Sequence, residues 1–240
     1  MIDVLVADEA EAVAVARRYL GYFQGPLPDW SCADQRELRH LVPENRLRAY
    51  DIRQAIEVLA DRGSVLELRR QFAPGLVTAL LRIEGRAFGL IANNPGHLGG
   101  AIDAAAGDKA ARFMQLCDAF DIPIVSLCDT PGFMVGPEAE KQATVRHVSR
   151  MFVSAASLTV PFFTVVLRKG YGLGARPWRR AASIRRCSPS PGPAASSAPW
   201  AWKARCGWAS PRSWRPRKIP SGARRCSAAW WTRPTATARR

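Results

Sequence analysis

Acidic and aliphatic residues both run out well before the end of this 240-residue chain, and that boundary limits what the chain can fold into. Residues 1–175 contain 19 Lys and Arg against 20 Asp and Glu. Residues 176–240 contain 16 Lys and Arg, no acidic residue, and only Ile184 and Ile219 as large aliphatic residues. Large apolar side chains provide most of the area that a domain buries. We therefore expect a folded region over residues 1–175 and a disordered basic tail over residues 176–240.

The formal net charge of +15 belongs almost entirely to this tail, which also contains seven of the eight Trp residues. Arginine interleaved with tryptophan can bind phosphates and stack on bases, so a non-enzymatic basic nucleic-acid-binding protein is one interpretation. Against it, the tail has no RGG or RS repetition, and its Pro and Ser content is typical of disorder. We expect no specific nucleic-acid partner.

The start of the chain and its cysteines indicate a cellular compartment. Four acidic residues lie within the first 11 positions, unlike the basic start of a secretory signal. The sequence contains no run of 18 apolar residues, so it predicts no transmembrane helix and no membrane partner. Cys32, Cys117 and Cys128 are widely spaced and form no CxxC pair, as in reduced cytosolic proteins. We expect a cytoplasmic protein.

Hydrophobic periodicity predicts an α/β protein, because apolar runs of strand length alternate with segments of helical period. Asp51 is placed to cap a helix that Gly63 ends, and Glu84-Gly85-Arg86 joins two apolar runs as a β-hairpin. The predicted helices are 8–22, 52–60, 108–120 and 138–157, and the predicted strands are 65–68, 76–83, 87–92, 122–128 and 160–167.

Glycine-rich segments follow three of the predicted strands: NNPGHLGG at Asn93–Gly100, DTPGFMVG at Asp129–Gly136 and RKGYGLGA at Arg168–Ala175. The second contains the DxxG of a GTPase, but the sequence lacks the GxxxxGK[ST] phosphate loop that a GTPase needs. The third contains GxGxxA, but a dinucleotide site also needs an acidic residue about 20 positions later. Glu140 is the last acidic residue, so that interpretation fails.

Side chains for nucleophilic or metal catalysis are scarce. The sequence has no GxSxG and no HExxH, and His40, His97 and His147 suit structural or surface positions better than catalytic ones. Glycine-rich turns can instead direct paired backbone N–H groups at a developing negative oxygen, and each such donor contributes about 3–4 kcal/mol. The sequence therefore favours chemistry that passes through an enolate-like anion.

Four stretches resemble the carboxyltransferase (β) subunit of biotin-dependent acyl-CoA carboxylases, such as the β chain of propionyl-CoA or acetyl-CoA carboxylase. They are PENRLRAYDIRQAI, LIANNPGHLGGAID, DKAARFMQLCDAFDIPIVSLCDTPGFMVG and VPFFTVVLRKGYGLGA, and they cover most of residues 43–175. The resemblance implies an incomplete crotonase-like ββα spiral. Residues 1–50 are then a remnant of the end of the acyl-CoA-binding half with its linker, and residues 51–175 are part of the biotin-binding half.

The activity implied by this resemblance is transfer of a carboxyl group from carboxybiotin to the α-carbon of a short-chain acyl-CoA, propionyl-CoA or acetyl-CoA. In the family, backbone amides of the biotin-binding half hold the ureido oxygen of biotin, and no side-chain acid or base is required. A biotin-dependent decarboxylase or transcarboxylase of the same family is the alternative. The resemblance implies biotin on a partner domain and a CoA thioester as substrate, with no metal in this subunit.

Individual site residues also follow from the resemblance. The family's biotin-side amides come just after Arg-Lys-x-Tyr, which points here to Leu173 and Gly174, flanked by Gly172 and Ala175. A shift by one residue, to Gly174 and Ala175, stays open because Leu173 is compatible only with a negative φ. The residues expected near the biotin pocket are Asn93, Pro95, Gly96, Gly99, Gly100, Pro131, Gly132, Phe133 and Gly136. A structural turn explains each of these glycines equally well.

The family's assembly implies the partners of this chain. They are further β chains in a homohexamer, and an α subunit that carries biotin carboxylase and a biotin carrier. We expect the 240-residue chain alone to be an inactive, poorly soluble fragment, because the acyl-CoA half and the last part of the biotin half are missing from it. Lys109 and Arg112 can meet anionic groups, although a solvated helix face explains them more simply.

The family pattern stops at Ala175, and the codons of the tail offer a reason. When each new codon starts at the third base of an old one, Pro199–Ser210 permit Met-Gly-Leu-Glu-Gly-Ala-Val-Arg-Leu-Gly-Phe, which resembles the family's continuation. The same shift on Arg176–Ile184 permits Ala-Met-Ala-Ala-Gly-Ser-Phe. Five Lys against 30 Arg suit a GC-rich gene. The sequence therefore predicts a frameshift near codon 175.

Overall fold

The computed structural model describes residues 2–43, 45, 48–171 and 190–191, and the structural statements below refer to these residues. The predicted amide donors at Gly172–Ala175 lie outside them, as does all of the predicted tail except Ser190–Pro191. The described residues belong to the unit Met1–Ala198.

The described residues form helices and strands in the order that the sequence predicts for an α/β protein. The helices are α1 Glu9–Gly21, α2 Leu38–Leu41, α3 Ile52–Leu59, α4 Ala104–Ala119, α5 Pro137–Lys141 and α6 Thr144–Ser157, with 3₁₀ turns at Gln35–Glu37 and Leu98–Gly100. The strands are β1 Leu66–Leu68, β2 Leu76–Ile83, β3 Arg86–Asn93, β4 Ile124–Thr130, β5 Phe162–Gly170 and β6 Ser190–Pro191.

Aspartate side chains begin three of the helices by accepting hydrogen bonds from free N–H groups of the first turn. Asp8 accepts from Glu11 N at 2.7 Å in α1, and Asp51 accepts from Arg53 N at 2.9 Å in α3. Asp103 caps α4, which therefore begins four residues before the predicted start. The prediction that Gly63 ends α3 is wrong, since α3 ends at Leu59 with Ala60 as its C-cap.

All strands belong to one sheet in the order β1-β2-β3-β4-β5-β6. The predicted hairpin is confirmed: β2 and β3 are antiparallel and joined at Glu84 and Gly85, which both have positive φ. From β3 onward the neighbours β3–β4, β4–β5 and β5–β6 are parallel. The carboxyl ends of β3, β4 and β5 therefore lie at the same edge of the sheet.

Two hydrophobic clusters cover opposite faces of this sheet, as expected from the alternation of side chains along a strand. One cluster combines Leu76, Leu80 and Ile91 with α4 and α6. The other combines Val77, Leu81 and Leu90 with α3. Helices α4 and α6 pack tightly at Gly107, where a Cβ atom would come within 3.1 Å of Val148.

The helix predicted over 138–157 is interrupted in the structure. Ala143 adopts a left-handed conformation with φ of 52° and separates α5 from α6. In an unbroken helix the carbonyl of Ala139 would accept from Ala143 N; here Thr144 Oγ1 donates to that carbonyl at 2.7 Å instead. Ala143 N donates to Glu140 O at 2.9 Å. Periodicity alone does not reveal this exchange, because it depends on one hydroxyl group.

Candidate functional site

Two of the glycine-rich segments, and Tyr171 of the third, follow β3, β4 and β5 at the carboxyl edge of the sheet. Loops at this edge of a parallel sheet are the usual place for ligands in α/β proteins. We call these loops loop A (Asn94–Ile102), loop B (Pro131–Gly136) and loop C (residues 171–175). Of loop C, only Tyr171 is described. The predicted third loop begins later than expected, because Arg168–Gly170 still belong to β5.

Backbone hydrogen bonds join loop A to loop B, and two further hydrogen bonds involve the ends of β4 and β5. Ile102 N of loop A donates to Gly132 O at 3.0 Å, and Met134 N of loop B donates to Ile102 O at 2.9 Å. Tyr171 N donates to Thr130 O at 3.2 Å, which ties the start of loop C to the end of β4. Lys169 Nζ donates to Gly99 O at 2.7 Å. Loops A and B are therefore held together by backbone groups, and Lys169 of β5 adds a side-chain hydrogen bond to loop A.

Gly100 lies so close to the end of β4 that only glycine fits there. A Cβ atom at this position would overlap the carbonyl oxygen of Asp129, and the φ of +87° is one that side chains of L-residues rarely adopt. Gly99 also has a positive φ, of +60°. The close approach brings loop A against β4 and explains this glycine structurally, whatever ligand the site takes.

The structure distributes the other predicted pocket residues between the interior and the surface of the loops. Asn93 is 1 % exposed; its Oδ1 accepts from Asp129 N at 3.3 Å, and its Nδ2 has no hydrogen-bond partner among the described residues. Phe133 packs against Phe152 of α6, with 5.7 Å between ring centroids. Of the remaining predicted residues, Pro95 is buried, Gly132 and Gly136 are half-buried, and Gly96, Gly99 and Pro131 are exposed.

Behind the loops lies a buried polar cluster of Tyr50, Asp129 and Arg168, which the sequence analysis did not single out. Tyr50 Oη donates to Asp129 Oδ2 at 2.9 Å, and Arg168 Nε lies 3.3 Å from the same oxygen. Arg168 also donates to Arg48 O at 2.7 Å, and its guanidinium lies over the Tyr50 ring at 5.1 Å. The sequence signal for this cluster was an acidic residue, Asp129, at the end of a predicted buried strand. Its partners Tyr50 and Arg168 are distant from it along the chain, so the sequence did not reveal them.

Asp129 also provides a hydrogen-bond acceptor at an irregularity in the pairing of β4 with β5. Cys128 pairs with Val166 and Thr130 pairs with Gly170, so β5 has two more residues than β4 between these pairs. Lys169 N donates to Asp129 Oδ1 at 3.1 Å, so the carboxylate takes the place of a strand carbonyl as acceptor. The cluster thereby fixes where β5 ends and where loop C begins.

Burial sets the protonation of two further groups at the site. Burial, and then the negative charge of Asp129, raise the pKa of Tyr50 far above its usual value. Burial, followed by the charge of Asp129, raises the pKa of the Cys128 thiol to about 12. A thiol that stays protonated at neutral pH is a poor nucleophile, so Cys128 is a structural residue of β4.

The arrangement offers backbone donors, and the described residues of the three loops include no Ser, Thr, Cys, Asp, Glu or Lys. The carboxylate of Asp129 already interacts with Tyr50, Arg168 and Lys169 N, and Asp129 is 0 % exposed. The described residues contain no group of three or more His, Cys, Asp or Glu that could hold a metal ion. Within the same residues, no helix is long and apolar enough to cross a membrane.

Fold and site together define an α/β protein in which loops follow the strands at the edge of a parallel sheet, next to a buried ion pair. The chain belongs to the carboxyl transferase domain family, whose model matches residues 1–176. The match ends where the composition changes, one residue past the last one that resembles the family.

Curated relatives support this assignment. The methylmalonyl-CoA carboxyltransferase 12S subunit of Propionibacterium freudenreichii subsp. shermanii is 38 % identical over 181 residues, which cover 71 % of this chain and 34 % of that protein. The propionyl-CoA carboxylase beta chain of Roseobacter denitrificans is 36 % identical over 179 residues, which cover 71 % of this chain and 35 % of that protein. The chain thus spans about a third of the length of these relatives.

Solved structures show the same fold. A single-chain, multi-domain long-chain acyl-CoA carboxylase superposes with a TM-score of 0.77 and 50 % identity, covering 89 % of this chain and 22 % of that one. A transcarboxylase 12S structure with hydrolysed methylmalonyl-CoA bound superposes with a TM-score of 0.73 and 34 % identity, covering 82 % and 40 %. The predicted family and the crotonase-like α/β fold are therefore confirmed, and the carboxyltransferase interpretation is supported over the nucleic-acid-binding one.

Proposed function

We propose that residues 51–175 are the biotin side of a carboxyltransferase, which receives carboxybiotin and supports transfer of its carboxyl group to the α-carbon of an acyl-CoA. The observation that carries this proposal is that loops A and B are hydrogen-bonded to each other at the edge of the sheet where β5 also ends. In the same proposal, residues 1–50 remain from the end of an acyl-CoA half.

The donors present fit a biotin ring. A ureido group is neutral, and its oxygen accepts hydrogen bonds, so it suits backbone N–H groups better than a charged side chain. Asn93 supports this fit, because its Nδ2 donor has no partner among the described residues while its Oδ1 is held by Asp129 N. A buried donor without a partner costs free energy unless a ligand or the chain satisfies it.

Carboxybiotin, when bound, supplies the carboxyl group and afterwards a nitrogen that can take up the α-proton of the thioester. The chain's contribution is to hold the negative charge on an oxygen: the proposed donors are the backbone amides of Leu173 and Gly174, or of Gly174 and Ala175. Such donors act without reorganising during the reaction. The ion pair between Asp129 and Arg168 holds the end of β5, the strand that precedes these amides in the chain.

The acyl-CoA, the overall reaction and the partners belong to the same proposal. Propionyl-CoA or acetyl-CoA is the proposed acceptor, and the proposed partners are other β chains and an α subunit that carries biotin. Relatives of this chain include both a carboxyltransferase and a methylmalonyl-CoA decarboxylase subunit, so a decarboxylase or transcarboxylase is the second candidate. Because the chain spans about a third of its relatives, we expect no turnover of acyl-CoA by the chain alone.

Titration of the ¹⁵N-labelled chain with biocytin, the lysine amide of biotin, tests this proposal. We expect amide shifts confined to residues 93–102, 129–136 and 168–175. Nε-acetyl-lysine is the matched control, because it keeps the lysine part with its acylated side-chain nitrogen and lacks the ureido ring. Equal shifts with both compounds, or shifts elsewhere on the sheet, would contradict the proposal. Turnover of propionyl-CoA with carboxybiocytin by the purified chain would contradict its fragmentary nature.

A further inference from the structure

Lys109 of α4 is fully inside the protein, although its side chain carries a charge at neutral pH. It is 1 % exposed, and its ammonium group donates to backbone carbonyls rather than to a carboxylate. The acceptors are Leu76 O at 2.7 Å, Phe72 O at 2.8 Å, Arg69 O at 2.9 Å and Ala73 O at 3.4 Å. Four carbonyls around one cation resemble the oxygen shell of a bound monovalent ion more than a salt bridge.

The segment that supplies these carbonyls, Arg69–Leu76, connects β1 to β2 and curls around the ammonium group. Two of its residues have positive φ without being glycine: Arg69 at +56° and Ala73 at +47°. Such conformations cost free energy and persist where surrounding contacts impose them. A central cation that attracts carbonyl oxygens from several directions is a sufficient reason for this backbone path.

The outer side of the same segment holds the start of loop A. Asn94 N donates to Gly75 O at 2.9 Å, and Asn94 Nδ2 donates to Pro74 O at 2.9 Å. Asn94 in turn shapes the loop, since its Oδ1 accepts from Gly96 N at 3.1 Å and its carbonyl accepts from His97 N at 3.1 Å. A continuous path of hydrogen bonds and backbone therefore leads from Lys109 to loop A.

We propose that the ammonium group of Lys109 acts as a built-in monovalent cation that folds Arg69–Leu76 around itself and, through Asn94, positions loop A of the candidate site. Lys109 is thus a positioning residue, and it contacts no ligand. This inference rests on loop A being part of the functional site, but the connection itself is independent of which ligand the site binds.

The carbonyl oxygens around Lys109 only partly offset the cost of burying its charge. Burial lowers the pKa of Lys109 to about 8, Glu67 of β1 opposes that shift, and Arg53 of α3 and Arg69 add to it. The group therefore still carries its charge at pH 7. The carboxylate of Glu67 is itself bound by Arg53 at 2.7 Å, so the cation is balanced mainly by carbonyl dipoles.

Substitution of Lys109 by Met tests the role of the charge, because Met keeps most of the apolar stem. In Lys109→Met we expect amide hydrogen exchange of Asn94, Gly96 and His97 to accelerate at least tenfold at pH 7. Lys141→Met is the matched control, since Lys141 is exposed and its ion-pair partner among the described residues is Glu138 on its own helix. In Lys109→Ala, 100 mM methylammonium should restore slow exchange, whereas tetramethylammonium, which cannot donate hydrogen bonds, should not.

Unchanged exchange of these three amides in folded Lys109→Met would overturn the proposal, as would equal rescue by the two cations. If neither variant folds, the wild-type chain labelled with ¹⁵N-lysine decides the question. A caged ammonium group exchanges its protons slowly and gives a visible Nζ resonance at pH 7, and its absence would contradict the cage. Biocytin is not used in these measurements, so their outcome is separate from that of the biotin titration.

Discussion

Arg168 and Asp129 form an ion pair at 3.3 Å in which the two side chains are 2 % and 0 % exposed. They lie on neighbouring parallel strands, and the carboxylate also accepts from Lys169 N and from the Tyr50 hydroxyl. A buried pair of this kind is costly to form but still more costly to break, because removal of one partner leaves an uncompensated charge. The loops of the candidate site therefore depend on this buried pair for their connection to the core.

Removal of the carboxylate should destabilise the chain strongly. We expect Asp129→Ala to lower the free energy of unfolding by about 3–5 kcal/mol, because Arg168 keeps its charge without a partner. Urea unfolding followed by circular dichroism measures the change. Asp121→Asn is the control, because Asp121 is exposed and its left-handed φ of 54° suits asparagine. A loss below about 1 kcal/mol in Asp129→Ala would show that the pair is not anchored as described.

The hydroxyl of Tyr50 should matter in a pH-dependent way. Its raised pKa means that the folded chain keeps the phenol proton where the unfolded chain loses it, so stability falls as the pH rises above about 10. In Tyr50→Phe this pH dependence should be absent. The free energy of unfolding at pH 7 should fall by about 1–3 kcal/mol, because the hydrogen bond to the charged acceptor Asp129 is lost. Unfolding curves at pH 7, 10 and 11 provide the comparison. Identical pH profiles for the two chains would contradict the buried position of the phenol.

Lys109 should make the free energy of unfolding rise with pH, at a lower pH than the fall that Tyr50 causes. Its pKa is lowered to about 8 in the folded chain, so between pH 8 and about 10.5 the unfolded chain binds more protons and stability rises with pH. The rise is on the order of 1–3 kcal/mol and should be absent from Lys109→Met. Measurements from pH 7 to 9.5 avoid the titration of Tyr50. A profile that is flat, or equal in both chains, would show that burial does not depress this pKa.

Elements with local causes were predictable from the sequence. The Asp51 cap, the β2–β3 hairpin and the glycine-rich loops after β3 and β4 all depend on residues close together in the chain. The buried cluster was not predictable, since Tyr50 and Asp129 are 79 residues apart and meet only because the sheet brings them together. The break at Ala143 was missed for a different reason, because one hydroxyl decides it.

The change of composition after residue 175 leads us to a prediction about the reading frame of the gene rather than about the fold of the protein. We expect the nucleotide sequence from codon 170 to codon 210 to contain a second frame that continues the family pattern as Ala-Met-Ala-Ala-Gly-Ser-Phe and, from codon 199 onward, as Met-Gly-Leu-Glu-Gly-Ala-Val-Arg-Leu-Gly-Phe. Re-sequencing of this region provides the measurement. A second frame that is interrupted by stop codons, or one without these residues, would contradict the frameshift.

The central claim is that loops A, B and C form a site for biotin, and Gly100 provides the most direct measurement of it. In Gly100→Ala the new Cβ overlaps Asp129 O and displaces loop A, whereas in Gly21→Ala the new Cβ meets nothing within 4 Å. Both chains are titrated with biocytin by calorimetry after circular dichroism has established that they are folded. We predict at least a tenfold loss of affinity in Gly100→Ala and no change in Gly21→Ala. Equal affinity in two folded variants would contradict the claim.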